Sequence, residues 1–184
     1  MEFQHVAIGV CGLSCRLCPR YHTDGSSRCG GCKSEFRMGA GCPFITCSVK
    51  KKGIELCTDC PEGETCGRWA RHLEASLQHD SFVCYQKLQD NIRSIRQSGI
   101  DAFEEAQERR CRLLEAMLAG FDDGRSKSFY CVAATVMEPE ELERAIASAE
   151  APASGKTPKE KAKAMRQALE EIARGKNYLL ALRK

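Results

Sequence analysis

Ten of the 13 cysteines in this 184-residue chain lie between Cys11 and Cys66. Glycine and proline recur every few residues in this stretch, so neither helical nor strand periodicity persists. Such a segment has few apolar side chains to bury and needs another source of folding energy. Metal ions bound by cysteine thiolates supply it, at about 10 kcal/mol or more for each structural zinc ion. The stretch therefore predicts an irregular region that metal ions hold together.

The same cysteines could form disulfide bonds, but the context favours metal ligation. The N-terminal residues MEFQHVAIGVCG lack the basic start, the apolar core and the cleavage site of a secretory signal. No apolar run approaches the ~18 residues that a membrane span needs. We therefore expect a cytoplasmic protein without a membrane anchor, in a compartment that keeps thiols reduced. The odd total of cysteines also argues against complete pairing in disulfides.

Three pairs of cysteines share the Cys-x-x-Cys spacing: Cys15/Cys18, Cys29/Cys32 and Cys57/Cys60. Two residues between cysteines let a tight turn point both sulfurs at one ion, so each pair makes half of a tetrahedral site. The first two pairs are separated by ten residues, which is a zinc-like spacing. We expect these four cysteines to share one metal ion.

A second site of four cysteines has five candidates: Cys42, Cys47, Cys57, Cys60 and Cys66. We favour the first four of them, and the close alternative is that Cys66 replaces Cys42. Cys11 has no assigned partner in either arrangement. The spacing as a whole predicts about two zinc ions, each held by four thiolates.

Iron is the alternative to zinc. The spacing Cys11-x3-Cys15-x2-Cys18 is the one with which radical S-adenosylmethionine enzymes hold a [4Fe–4S] cluster, but those enzymes continue into alternating strands and helices. A non-radical iron–sulfur protein or enzyme is therefore a better alternative than a radical enzyme, because thiolates also suit iron. The four histidines lack a paired spacing, and we interpret them as surface or structural side chains: His5, His22, His72 and His79.

Beyond Cys66 the apolar residues recur at helical spacing. Helices are predicted for GRWARHLEASL, from Asp80 or Ser81 to Gly99, and from residue 101 to residue 120. Residues 126–137 are ambiguous because they are rich in β-branched and aromatic residues, but a helix is favoured because Pro139 fits the first turn of the next helix. Residues 3–10 predict one short strand. Three lone cysteines fall on apolar helix faces and are interpreted as small buried hydrophobes: Cys84, Cys111 and Cys131.

Composition divides the chain into four parts. Residues 1–75 form the cysteine-rich metal-binding region, and residues 76–150 form a helical domain packed on it. Residues 151–158 have the composition of a linker, and residues 159–184 predict a basic amphipathic helix. The expected fold class is mainly α, with an irregular, metal-stapled N-terminal region (small α+β) and a helical bundle-like C-terminal part.

Charge gives little support for a nucleic-acid partner. The formal net charge of +3 counts every cysteine as neutral, and two zinc ions with four thiolates each would lower it to roughly −1. Lys50, Lys51 and Lys52 could contact phosphates, but few aromatic side chains accompany them. Residues 122–128, DDGRSKS, could hold an anion at a helix start, although a turn and helix cap is the favoured interpretation.

Several phrases resemble one family: CGLSCRLCPRY, RCGGC, CPFITCSVKKKGIELCTDCPEGETC and DDGRSKSFYCVAATVMEPEELERAI. The chain is similar over residues 7–150 to the prokaryotic family called domain of unknown function 3795. The resemblance implies a metal-binding cytosolic protein, often from anaerobes, with no assigned reaction. Members often have a further cysteine where this chain has Gly39, and Phe-Pro where it has Glu64-Thr65. Both departures concern the second metal site.

The sequence therefore predicts a zinc-binding protein with two four-cysteine structural sites. Closed sites of this kind favour a non-catalytic interaction or scaffold module whose partner is another protein. An iron–sulfur redox protein or enzyme is the first alternative, and a nucleic-acid-binding zinc module is the second.

Overall fold

The computed structural model describes residues 2–151 and 155–184. Its regular structure is helical, which confirms the mainly α prediction. The helices are α1 (Glu35–Ala40), α2 (Pro43–Ile45), α3 (Gly67–Ala75), α4 (Leu88–Ser98), α5 (Ile100–Phe121), α6 (Lys127–Val136), α7 (Pro139–Glu150) and α8 (Pro158–Lys176). A π-helical segment, Thr46–Lys51, continues α2, and single 3-10 turns span Cys15–Leu17 and Cys57–Asp59. In the described part of the chain, no helix has both the length and the apolar character of a membrane span.

The strand predicted for residues 3–10 is not formed. The described residues of this segment pair only through Ile8, in an isolated antiparallel bridge with Ser14. The chain turns back too soon for a ladder, because Gly12 adopts a φ of 82° and its N–H donates to the carbonyl of Gly9 at 2.8 Å. Ile8 and Val10 are nevertheless buried. The apolar run thus enters the core without making a sheet.

Helix α3 confirms the helix predicted after Cys66, but it is shorter than predicted. Trp69 is buried as expected, with 3% of its surface exposed. Leu77, which the pattern placed on the same apolar stripe, is 59% exposed because the helix already ends at Ala75.

Helix α4 begins at Leu88, several residues later than predicted. Asp80 does not cap it. Its carboxylate instead accepts hydrogen bonds from the N–H of Tyr85 and from Arg183, so the residues after Asp80 are held in a loop. Gly99 ends the helix as predicted, with a φ of 85°.

Helices α6 and α7 follow the prediction closely. Ser126 precedes α6, and Pro139 occupies the first turn of α7. Glu138 and Glu141 form a capping box in which each side chain accepts from the other's backbone N–H. Helix α7 packs against α8.

Helix α8 begins at Pro158 behind a capping box made by Thr157 and Glu160. It ends at Lys176 and not at the chain end, because Asn177 takes the left-handed conformation that terminates helices. Of the predicted linker at residues 151–158, residues 152–154 lie outside the described residues.

The chain divides into two compact units. The first runs up to Gln107 and includes Arg183–Lys184, and the second is Glu108–Leu182. All ten clustered cysteines belong to the first unit. The other three cysteines, Cys84, Cys111 and Cys131, are buried, as predicted for small hydrophobes. Cys84, however, lies in the loop before α4 and not on the helix face that the sequence predicts.

Candidate metal centre

Six of the ten clustered cysteines line one cavity of the first unit, with a volume of about 270 Å³. They are Cys11, Cys15, Cys18, Cys29, Cys32 and Cys42. Aromatic rings form much of the remaining wall, namely Tyr21, Phe44, Phe82 and Tyr85. The fold therefore brings all four cysteines of the predicted first site to the same cavity, together with two others.

Short backbone turns position the four thiols of the predicted first site. A 3-10 turn begins at Cys15 and closes where the N–H of Cys18 donates to the carbonyl of Cys15 at 3.1 Å. The N–H of Cys29 donates to the carbonyl of Arg20 at 3.0 Å, which sets the second pair beside the first. The N–H of Cys32 donates to the sulfur of Cys15 at 3.3 Å. A donor aimed at a sulfur stabilises the thiolate, which is the form that binds metal.

Glycines allow the backbone to approach these sulfurs. A Cβ atom at Gly9 would lie 3.2 Å from the sulfur of Cys32 and 3.4 Å from that of Cys15. The first distance is shorter than a Cβ ordinarily makes and the second is at the limit of ordinary contact, so the absence of a side chain permits the close approach to Cys32. Gly30 and Gly31, inside the second Cys-x-x-Cys pair, have φ values of 63° and 96° that give the loop its tight turn.

The crowding of these thiols affects their ionisation. Burial raises the pKa of Cys18, and the charges of Cys29 and Cys32 add to the rise, while two backbone N–H groups oppose it. A hydrogen bond with Cys15, followed by burial, raises the pKa of Cys32. Buried neighbouring thiolates repel one another, and a divalent cation that replaces their protons removes this repulsion.

A second group of cysteines surrounds Cys57. Burial raises the pKa of Cys57 to about 12, the hydroxyl of Ser48 opposes the rise, and the charges of three neighbouring thiols add to it. These neighbours are Cys60, Cys47 and Cys66. Cys42 instead lines the cavity of the first group. The arrangement favours the alternative second set, in which Cys66 takes the place of Cys42.

Lys52 brings a positive charge to this second group. Its ammonium donates to the sulfur of Cys60 at 3.5 Å and pairs with Glu62 at 2.7 Å. The hydrogen bond to Glu62, and then that to Cys60, raise the pKa of Lys52. Of the three consecutive lysines, only Lys50 and Lys51 are exposed. Two lysines of the run, and not three, are therefore exposed for contact with phosphates.

Two of the histidines make hydrogen bonds of the structural kind that the sequence predicts. Nδ1 of His5 lies 2.7 Å from the carboxylate of Glu104, and Nε2 of His22 lies 2.6 Å from the carbonyl oxygen of Arg16. His79 is exposed, as expected for a surface side chain.

His72 differs from the other histidines because it lines the cavity. Its ring centroid lies 4.7 Å from that of Phe44 and 5.2 Å from that of Tyr85. Its Nε2 atom is buried and has no hydrogen-bond partner among the residues that the structure describes. Burial also lowers the pKa of His72, which favours the neutral ring. No spacing in the sequence marks His72, because its position depends on rings from other segments.

The cavity-lining thiols occupy the walls and do not yet converge. Across residues 2–151 and 155–184, no three His, Cys, Asp or Glu side chains lie close enough together to hold an ion. Coordination would require the sulfurs to turn inward, which rotation about the Cα–Cβ bond of cysteine allows. The donor chemistry fits zinc and iron, since both take thiolate ligands.

The acidic turn at residues 122–128 is already satisfied by its own side chains. The carboxylate of Asp122 accepts from the N–H groups of Gly124 and Ser126 at 3.1 and 3.2 Å. That of Asp123 accepts from the N–H of Arg125 at 3.0 Å. These amides are the donors that a bound anion would use. The structure thus favours the turn and helix cap over an anion site.

No family model, no curated protein and no solved structure matches the chain in comparisons with known proteins. The resemblance to the domain of unknown function 3795 family stays a prediction. The chemistry of the site must therefore be argued from its own residues.

Proposed function

We propose that this chain is a metal-binding protein whose N-terminal cysteines hold about two zinc ions in four-thiolate sites. The first site would use Cys15, Cys18, Cys29 and Cys32, and the second would use Cys47, Cys57, Cys60 and Cys66. One observation supports this most directly. Two Cys-x-x-Cys pairs face one cavity, and the N–H of Cys32 donates to the sulfur of Cys15 at 3.3 Å.

The surroundings of the second group support a structural role over a catalytic one. The ammonium of Lys52 donates to the sulfur of Cys60. A positively charged donor of this kind holds negative charge on the sulfur and makes it a weaker nucleophile. A zinc ion with four protein thiolates also has no open position for a substrate. We therefore propose a cytoplasmic interaction or scaffold module whose metal-stapled surface contacts another protein.

A second candidate function, an iron–sulfur protein, is favoured by the cavity itself. Its volume of about 270 Å³ exceeds the space that one ion needs, and a polynuclear cluster would fill more of it. Cys11, Cys15 and Cys18, which have the spacing of a cluster motif, all line this cavity.

Metal analysis with an absorption spectrum separates the two candidates. The protein would be purified without oxygen and without added metal. We expect about two zinc ions per chain and no visible absorption, because zinc has a filled d shell. A brown protein that contains iron and sulfide would overturn the zinc proposal and support the cluster.

A single substitution tests the ligand grouping. Cys29→Ser should lower the zinc content of the purified protein by one ion, because three thiolates hold zinc less tightly than four. Cys131→Ser is the control, since Cys131 is buried in the second unit and should leave the zinc content unchanged. Unchanged zinc in Cys29→Ser would show that the grouping is wrong.

A further inference from the structure

Three cavity-lining residues lie outside both proposed zinc sites: Cys11, Cys42 and His72. They come from separate parts of the first unit. Cys11 follows the N-terminal apolar run, Cys42 precedes α2, and His72 lies in α3. Each carries a side chain that ligates zinc or related ions.

These three residues share aromatic neighbours, although their side chains do not yet converge on one point. Phe44 packs against the apolar cluster that contains Cys11, and it packs alongside Cys42 against a second cluster. The same ring lies 4.7 Å from that of His72, centroid to centroid. Tyr85 packs against the cluster of Cys11 and lies 5.2 Å from His72. The rings of Phe44 and Tyr85 therefore lie beside the three residues, all of which line the same cavity.

The imidazole of His72 supplies the observation that points to a ligand. Its Nε2 is buried and has no hydrogen-bond partner among the described residues. A buried nitrogen without a hydrogen-bond partner is energetically unfavourable. Coordination to an ion in the cavity would remove that cost, because the nitrogen lone pair would then have an acceptor.

We propose that Cys11, Cys42 and His72 form a third metal site, with two thiolates and one imidazole as ligands and its fourth position open to the cavity. This ligand set is one with which zinc keeps a place for water or an exogenous ligand. The proposal rests on the metal-binding function proposed above and adds an exchangeable ion to its two closed sites.

The ligand for the open position follows from charge. A divalent ion with two thiolates is formally neutral, and the guanidinium of Arg37 also lines the cavity. The open position therefore favours a small anionic electron-pair donor, such as a thiolate or azide.

Cobalt titration of the zinc-containing protein tests the third site. Cobalt binds such sites more weakly than zinc does and will not displace ions already held by four thiolates. We expect the purified protein to take up one equivalent of Co²⁺, with the visible bands of tetrahedral cobalt and a thiolate charge-transfer band. Added azide should shift the visible bands, because it enters the open position.

Three variants identify the ligands. Cys11→Ser, Cys42→Ser and His72→Gln should each lose the cobalt equivalent and keep the two zinc ions. His79→Gln is the matched control, because His79 is exposed and is not one of the residues that line the cavity. His72→Gln keeps the test valid if a cysteine variant fails to fold, since it leaves every thiol in place.

The possible outcomes separate this proposal from the one before it. Absence of bound cobalt, or cobalt uptake that survives all three substitutions, would overturn the third site while the two zinc ions still stand. Purified protein without zinc would overturn the four-thiolate sites. The third site would then be tested separately, by comparing the cobalt bands of His72→Gln with those of the parent protein.

Discussion

Asp80 and Arg183 lie 103 positions apart, and the carboxylate of Asp80 binds both the backbone and the side chain of Arg183. Its oxygens accept from the backbone N–H at 2.7 Å and from two guanidinium nitrogens at 3.0 Å each. The side chain of Asp80 has no exposed surface, whereas that of Arg183 is 21% exposed. The guanidinium also donates to the carbonyls of Ser76 and Leu77. The C-terminal residues are thereby fixed to the loop after α3.

Replacing the buried carboxylate should destabilise the first unit. In Asp80→Asn, an amide N–H₂ group would face the guanidinium of Arg183, and the charge-assisted hydrogen bonds would be lost. We expect the free energy of unfolding in urea to fall by about 2–3 kcal/mol. Asp90→Asn is the control, because Asp90 is 51% exposed in its pair with Arg93 and should cost less than about 1 kcal/mol. Equal losses in the two variants would contradict the prediction.

The same contact predicts a pH dependence. Burial alone would raise the pKa of Asp80, but hydrogen bonds from Arg183 and from the N–H of Tyr85 outweigh it and hold that pKa below its ordinary value. A carboxyl group of this kind stabilises the fold above its unfolded pKa of about 3.9 and loses the contribution as pH falls through the folded value.

Urea unfolding of the parent chain and of Asp80→Asn between about pH 7 and pH 3 would measure this dependence. The difference between their free energies of unfolding should be constant above about pH 5 and shrink below about pH 4. Acid also releases thiolate-bound metal, but both proteins carry the same cysteines and the difference cancels that effect. A difference that grows as the pH falls would refute the assignment.

Gly9 provides a steric test of the first metal site. An alanine Cβ there would lie 3.2 Å from the sulfur of Cys32. That sulfur would have to move by a few tenths of an ångström, so Gly9→Ala should weaken zinc binding at this site about tenfold. Competition with a coloured chelator measures the affinity. Gly39→Ala is the matched control, because a Cβ at Gly39 meets no atom within 4 Å.

Local chemistry explains which parts of the fold the sequence could predict. Pro139 begins α7 and Gly99 ends α4 because each acts through its own backbone conformation. The four cysteines of the predicted first site reach one cavity because each Cys-x-x-Cys pair makes a tight turn. The role of Asp80 was not predictable in this way, because its partner, Arg183, is 103 residues away. Local sequence can show that a residue is suited to cap a helix, but it cannot show that a distant arginine binds the same carboxylate.

The candidate site shows the same division. The pairing of Cys57 with Cys60 is local and was predictable, whereas the choice between Cys42 and Cys66 depends on how α2 directs the chain. Cys42 immediately precedes that helix and lines the cavity. The position of His72 at the cavity depends on the rings of Phe44 and Tyr85, which only tertiary packing brings to it. Sequence spacing therefore predicts the type of ligand, whereas the proposed grouping depends on tertiary structure.

Two glycines four positions apart separate helix propensity from backbone strain in the second unit. Gly120 lies inside α5, and Gly124 lies in the following turn with a φ of 84°. A Cβ would meet no atom within 4 Å at either position, so only backbone conformation distinguishes the substitutions. Gly120→Ala should raise the free energy of unfolding by about 0.5 kcal/mol, because alanine loses less backbone entropy in a helix. Gly124→Ala should lower it by about 1–2 kcal/mol, because a side chain disfavours the left-handed region. Urea unfolding followed by circular dichroism measures both, and a change of the same sign in the two variants would contradict the described turn.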